Sequence, residues 1–151
     1  MANILLAYGT NSNSTFFASQ VLLKELQSQG HTVTMQEVRD VNVADLSTYD
    51  LIIFGTNTWF YNNAQGQPHI WYFAFEEKFK TQSFKDKKFA VFALGDSSYI
   101  EFCQSADYLE KMVKDVQGDL VVESLRIDGY YFDEKKNNEL LKKWAKQLFP
   151  S

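Results

Sequence analysis

Four short apolar runs, each bounded by turn residues, limit what this chain can fold into more than any other feature of it. They are Asn3 to Tyr8, Asp50 to Gly55, Lys88 to Leu94 and Leu120 to Val122. Each has an almost continuous apolar centre, as a strand does when both of its faces are covered. A fifth run, His31 to Glu37, alternates apolar and polar residues and is expected at a sheet edge. Amphipathic helical patterns lie between the runs, at Phe16 to Gln29, Pro68 to Phe79, Ser105 to Val116 and Glu134 to Phe149, with Gly30 as the stop of the first. Strands that alternate with helices pack as a parallel sheet with helices on both faces. The expectation is one α/β domain over residues 1–151, a three-layer α/β/α sandwich on a five-stranded parallel sheet of order 2-1-3-4-5.

The chain has 151 residues, of which 45% are hydrophobic, enough apolar area for one buried core. Its formal net charge of -4 disfavours nucleic acid or an anionic membrane as partner, since both call for a basic surface. A single cysteine, Cys103, excludes an intrachain disulfide and a thiolate zinc site. His31 and His69 lie far apart with no metal spacing; His31 is expected to be a solvated strand-start residue and His69 a first-turn helix residue. No basic segment followed by an apolar stretch opens the chain, and no run approaches the roughly 20 residues needed to span a bilayer. A monomer in the cytoplasm is the expectation.

In an open α/β sheet, ligands bind beyond the carboxyl ends of the strands, where the strand order reverses. Three segments lie there, after the first, third and fourth strands. The first runs from Tyr8 to Thr15. Thr10, Ser12, Ser14 and Thr15 carry hydroxyls, Asn11 and Asn13 carry amides, and no Lys or Arg occurs before Lys24. Short polar side chains and backbone N–H groups at a helix start can hold a phosphate without formal positive charge. The same residues also suit a well-capped helix. The segment is neither a Walker loop, which needs a lysine, nor a G-x-G-x-x-G turn.

The second segment, Gly55 to Pro68, carries Trp59, Phe60 and Tyr61 in a row. Exposed aromatics in a loop mark binding, unless they fold back on a neighbouring helix. The third, Leu94 to Cys103, offers Gly95 for a tight turn, Asp96 and two serines to satisfy it, and Tyr99 opposite Trp59. Phe102 and Cys103 are expected to pack inward, the thiol without a redox role. A phosphate cradle beside two aromatic-bearing loops describes a pocket for a flat ring with a phosphate tail, and FMN fits it.

These residues carry a resemblance. Ala93 to Tyr99 with Phe102 and Cys103 is similar to the G-D-S-S-Y-x-x-F-C loop of short-chain flavodoxins. Thr10 to Thr15 resembles the family's (S/T)-x-(S/T)-G-x-T phosphate loop at all positions but Asn13, where the family has Gly. Thr58-Trp59 resembles its T-W, and Leu125 to Gly129 its L-x-I-D-G after the last strand. The resemblance covers essentially the whole chain and implies the flavodoxin-like fold, one bound FMN, and electron transfer between redox partner proteins rather than enzymatic turnover. It implies that Thr10, Ser12, Ser14 and Thr15, with the amides of the Asn11–Asn13 loop, hold the phosphate. Trp59 and Tyr99 would sandwich the isoalloxazine. Backbone around Asn57, Thr58, Phe60, Leu94, Gly95 and Asp96 would meet the ribityl chain or the ring edge, with Phe102 and Cys103 completing the pocket.

Three departures bear on behaviour. Asn13 must take the left-handed conformation that the family gives to Gly, which Asn tolerates better than most residues. Phe60 stands where the family often has Gly, at a peptide that reorients on flavin reduction, and a Cβ raises the cost of positive φ there. Asn62 to Gln67 carries no acid where the family crowds them, so the reduced flavin is expected to be repelled less. Two other readings remain: an FMN-dependent NAD(P)H:quinone or nitro reductase, which needs an open flavin face, and a binding module that has lost FMN. A receiver domain lacks its acidic residues here and is excluded.

Overall fold

The computed structural model describes residues 1–61 and 63–149. The chain runs β1 (Asn3–Tyr8), α1 (Ser14–Ser28), β2 (Thr32–Glu37), two 3₁₀ turns (Val38–Asp40 and Val43–Thr48), β3 (Leu51–Asn57), β4 (Trp59–Tyr61), β5 (Ala64–Gln67) and α2 (Trp71–Phe79). It continues through β6 (Lys88–Gly95), α3 (Gln104–Asp115), β7 (Asp119–Leu120), β8 (Leu125–Asp128), a 3₁₀ turn (Tyr130–Asp133) and α4 (Glu134–Gln147). The main sheet is parallel, in the order β2-β1-β3-β6-β7, with β8 also paired to β6. β7 and β8 together fill the place of one fifth strand, so the expected order 2-1-3-4-5 holds.

The apolar runs form the central strands because their side chains meet cover on both sides. Leu5, Ala7, Ile52, Phe54, Phe89 and Val91 face a core completed by α2 and α3. Ile4, Leu6, Leu51, Ile53, Ala90 and Phe92 face the other, completed by α1 and α4. Consecutive residues of each strand therefore enter opposite cores, as the two-residue strand period requires. β2 keeps one partner and lies at the edge, with mostly half-buried residues. The five lysines of α4, Lys135, Lys136, Lys142, Lys143 and Lys146, all sit on its exposed face.

Four expectations are corrected. The fifth strand, expected over Leu120 to Val122, ends at Leu120 and resumes at Leu125, so the segment expected to follow the strand is its second half. Residues 59–67, expected as a loop, form an antiparallel hairpin of β4 and β5. Asn63 in its turn has φ 61 and Gly66 within β5 has φ 71, and Asn62 lies outside the described residues. His31 is not simply solvated: its Nδ1 accepts from the Ala2 N–H (3.0 Å), and its ring lies 4.3 Å from that of Phe149. The Lys85–Lys88 turn is solvated except at Lys87, whose Nζ donates to the carbonyls of Ser47 (3.1 Å) and Tyr49 (2.6 Å).

Candidate functional site

The carboxyl ends of β1, β3 and β6 converge at the switch point of the sheet. The segment after β1 turns into α1 at Asn13, whose backbone takes φ 65 and ψ 0. The left-handed turn therefore forms with Asn in place of Gly. The capped-helix alternative is not met, because no side chain caps α1. Two hydroxyls of the segment, Thr10 Oγ1 and Thr15 Oγ1, are buried and have no hydrogen-bond partner, and Asn57 Oδ1 at the end of β3 shares that condition. A buried polar atom left unpaired costs about 1–3 kcal/mol. An anion at this helix start would satisfy both hydroxyls together with the free N–H groups of the first turn. The residues present thus fit a phosphate.

The hairpin sets three aromatics in alternation. Phe60 points outward and is 54% exposed, while Trp59 and Tyr61 are half-buried. Trp59 stacks on Tyr61 (5.5 Å, 8°), and its Nε1 donates to the Pro68 carbonyl at 2.9 Å. Tyr61 in turn stacks on Phe73 of α2 (5.5 Å, 21°), so this aromatic does fold back on a helix. Trp59 instead lines a cleft. Thr58 ties the hairpin to α3 through a 2.5 Å contact between its hydroxyl and that of Ser105.

The segment after β6 is held by Asp128 at the end of β8, which accepts from the Ser97 amide (2.9 Å) and the Ser97 hydroxyl (2.5 Å). Those bonds lower the Asp128 pKa, so they persist above the ordinary carboxylate range and are lost as pH falls through the depressed value. Tyr99 is 60% exposed at the tip of the segment. Cys103 is fully buried, and burial pushes its pKa up to about 12, which keeps it a thiol. Its backbone adopts φ 50, a strained conformation for a β-carbon residue, and Arg126 Nη1 holds its carbonyl at 2.6 Å.

Two clefts open here. One, of about 340 Å³, runs between Trp59 and Phe60 on one side and Tyr99 and Phe102 on the other, with Gly95 and Cys103 also lining it. The second, of about 370 Å³, runs from Asn11, Ser12 and Ser14 past Asn57 and Leu94. Thr58, Trp59, Gly95 and Asp96 line both, so the two form one groove from the phosphate segment to the aromatic pair. Thr10, Asn13 and Thr15 belong to the same segment but do not line either cleft. The other thirteen expected site residues do.

Residues not anticipated also line the groove. Gln65, Gly66 and Glu101 join the first cleft and Gly129 to Phe132 the second. Tyr131 Oη donates to the Ser12 carbonyl at 2.7 Å and braces the phosphate segment from the far end of the chain. A signal for it existed in Leu125 to Gly129, which ends at the groove. Asp96 and Glu101 bring negative charge to the ring end, while among the described residues no Lys or Arg lines either cleft. The acids missing from the hairpin are thus partly replaced from the opposite loop.

His69, expected as a first-turn helix residue, lies just before α2 and is 3% exposed. Burial lowers its pKa and that of His31. Both stay neutral in the fold while the unfolded chain takes up protons below the ordinary value of 6.5. Stability is then full above about pH 6.5 and falls as pH drops toward the depressed values. Urea midpoints measured from pH 7 to 5 are expected to fall, with a shallower slope in His69→Gln than in the parent; equal slopes would remove His69 from this account.

The family model described as "Flavodoxin" matches residues 6–144. The chain is 36% identical over 130 residues to probable flavodoxin 2 of Bacillus subtilis, covering 85% of this chain and 83% of that one. Among solved structures, oxidised flavodoxin 2 from Bacillus cereus superposes with a TM-score of 0.87 at 27% identity, over 97% of each chain. A flavodoxin from Fusobacterium nucleatum, solved bound to flavin mononucleotide, shares the fold at a TM-score of 0.83 and 16% identity, over 98% of this chain and 97% of that one. With a family match across nearly the whole sequence, and a groove built from the three segments that the shared motifs occupy, the chain belongs to the flavodoxin family.

Proposed function

We propose that residues 1–151 form one FMN-binding unit that carries electrons between redox partner proteins in the cytoplasm, as a monomer. One observation carries the reading: a single groove joins an uncapped helix start with two orphaned hydroxyls to a pair of facing aromatics. The phosphate would sit on the Thr10–Thr15 segment and the ring between Trp59 and Tyr99. When bound, FMN supplies one- and two-electron redox chemistry. The chain's own residues hold and orient it, and the aromatics exclude water from its faces. Phe60, Tyr99 and Ile100, exposed beside Asp96 and Glu101, form the rim that a reductase donor or an acceptor would meet. Among the described residues no helix is long and apolar enough to cross a membrane.

The test is FMN titration of the apoprotein, followed by flavin fluorescence. Tight binding with strong quenching is expected, weakened roughly 10- to 100-fold in Trp59→Ala, since stacking a flat base on an aromatic side chain is worth about 1–3 kcal/mol. Failure to bind would leave the binding-module reading. The reductase reading predicts steady NADPH oxidation by the loaded protein alone; the aromatic pair over the ring predicts none.

Phe60 sits in β4 with φ outside the positive range. Phe60→Gly would ease a peptide rearrangement there by about 1 kcal/mol. The first one-electron potential should rise by on the order of 40 mV. An unchanged stepwise titration would show that this peptide does not reorient on reduction.

A further inference from the structure

Three consecutive residues of β8 grip the segment after β6, and they do so at both of its ends. Asp128 takes the Ser97 amide and hydroxyl at the near end. At the far end the Ile127 carbonyl lies 3.6 Å from the Cys103 thiol, and Arg126 Nη1 donates to the Cys103 carbonyl at 2.6 Å. Between these holds, the hydrogen bonds among the described residues are local turns. The N–H groups of Ser98 and Tyr99 donate to Asp96 Oδ1 (2.8 Å) and the Asp96 carbonyl (3.1 Å), and the Gln104 N–H donates to the Glu101 carbonyl (3.0 Å). Where Tyr99 stands is therefore set by where the two ends are fixed. The Arg126 end is the strained one: Cys103 has φ 50, and its side chain does not cap α3. A cation beside the first turn of a helix also meets the positive end of its dipole. Carboxylates of the same helix keep Arg126 there. Its Nη2 pairs with Asp107 (2.5 Å) and lies 3.7 Å from Glu110, whose other oxygen accepts from the Ser124 hydroxyl (2.6 Å). With Asp107 59% exposed, that pair adds little stability, and its effect is to aim the other arm of the guanidinium fork at the Cys103 carbonyl.

We propose that Arg126 is a positioning residue for the ring end of the groove: by pinning the strained Cys103 peptide it fixes the place of Tyr99. The proposal rests on the FMN reading. Arg126 lines neither cleft, so whatever it does to the ring runs through the segment it holds. Freed from the guanidinium, Cys103 relaxes toward the right-handed region that a residue with a side chain prefers. Its peptide then rotates, and residues 98–102 swing about the Ser97 anchor. The cleft loses its Tyr99 wall, while the Trp59 wall stays, tied to the Pro68 carbonyl.

A double-mutant cycle separates this role from a merely structural one. FMN is titrated into the flavin-free parent, Arg126→Met, Tyr99→Ala and the double variant. Methionine keeps an unbranched stem and removes the charge and the donors. Arg126→Met is expected to weaken FMN binding about fivefold or more when Tyr99 is present, and less than twofold when Tyr99 is already alanine. Bound FMN should also fluoresce more in Arg126→Met than in the parent, since a displaced Tyr99 quenches less. Arg126→Lys, which keeps a donor for the Cys103 carbonyl, should recover part of both. A loosened fold, or the loss of a positive charge near the flavin, lowers affinity by one factor whether or not Tyr99 is present, and that result overturns the proposal. So does an Arg126→Met that binds FMN as tightly as the parent. So does a Tyr99→Ala of unchanged affinity, because it removes the contact through which Arg126 acts. A parent that binds no FMN overturns the FMN reading itself. Should Arg126→Met not fold, the same cycle with Arg126→Lys decides: a loss that vanishes in Tyr99→Ala supports the proposal, and no loss or equal losses refute it.

Discussion

Thr15→Val is expected to weaken FMN binding roughly 10- to 150-fold while leaving the cofactor-free protein as stable as before or slightly more so. Thr15 is fully buried in the first turn of α1, and its Oγ1 has no partner. Valine keeps the branched shape and removes a hydroxyl that bonds to nothing in the fold, so folding loses no hydrogen bond. Binding loses one to a charged group, worth about 1.5–3 kcal/mol. Riboflavin, which lacks the phosphate, is the control and should bind parent and variant alike. Equal losses for FMN and riboflavin would place the phosphate elsewhere.

Gly55→Ala is expected to lower stability by about 2–3 kcal/mol, or roughly 5–10 °C in Tm. A Cβ at this position in β3 would stand 2.2 Å from Phe92 Cζ. Phe92 cannot retreat, because it is fully buried in β6 and packs edge-on against Trp144 of α4 (6.0 Å). The Gly55 carbonyl also accepts from the Gly9 N–H (3.0 Å) and the Tyr72 hydroxyl (2.7 Å). A backbone shift to admit the methyl would therefore disturb the origin of the phosphate segment as well. Thermal melts of the apoprotein test this, and a Tm within 2 °C of the parent would show that Phe92 has room to move.

The parts legible in the sequence are those where one physical rule decides. The central strands are nearly continuous apolar runs because both cores must be filled, and their expected bounds fall within two residues of β1, β3 and β6. The hairpin was hidden because three adjacent aromatics look like one cluster, whereas alternation sends Phe60 outward and its neighbours inward. The break in the fifth strand was hidden because residues 121–124 are still partly apolar. His69 was legible only as a residue near the start of a helix, and its burial carries no periodic signal. A single histidine before a helix looks the same in sequence whether it faces water or closes a pocket, and only the meeting of Gly9, Thr56 and Trp59 around it decides. Asn13 was legible for a different reason: the turn demands positive φ, and Asn is the side chain that meets the demand with least strain.

The brace from Tyr131 to the Ser12 carbonyl joins positions 119 residues apart. Asp128 likewise holds Ser97, and the Gly129 amide donates to the Gly95 carbonyl at 2.8 Å. On a ribosome, which delivers the chain from its N-terminus, the phosphate segment emerges more than a hundred residues before its clamp. A nascent chain halted before residue 128 would have the whole nucleotide motif and no finished receptacle for it. The order in which the receptacle is made is therefore fixed by these three contacts: the motif comes early, and the groove closes only when residues 128–131 have joined it.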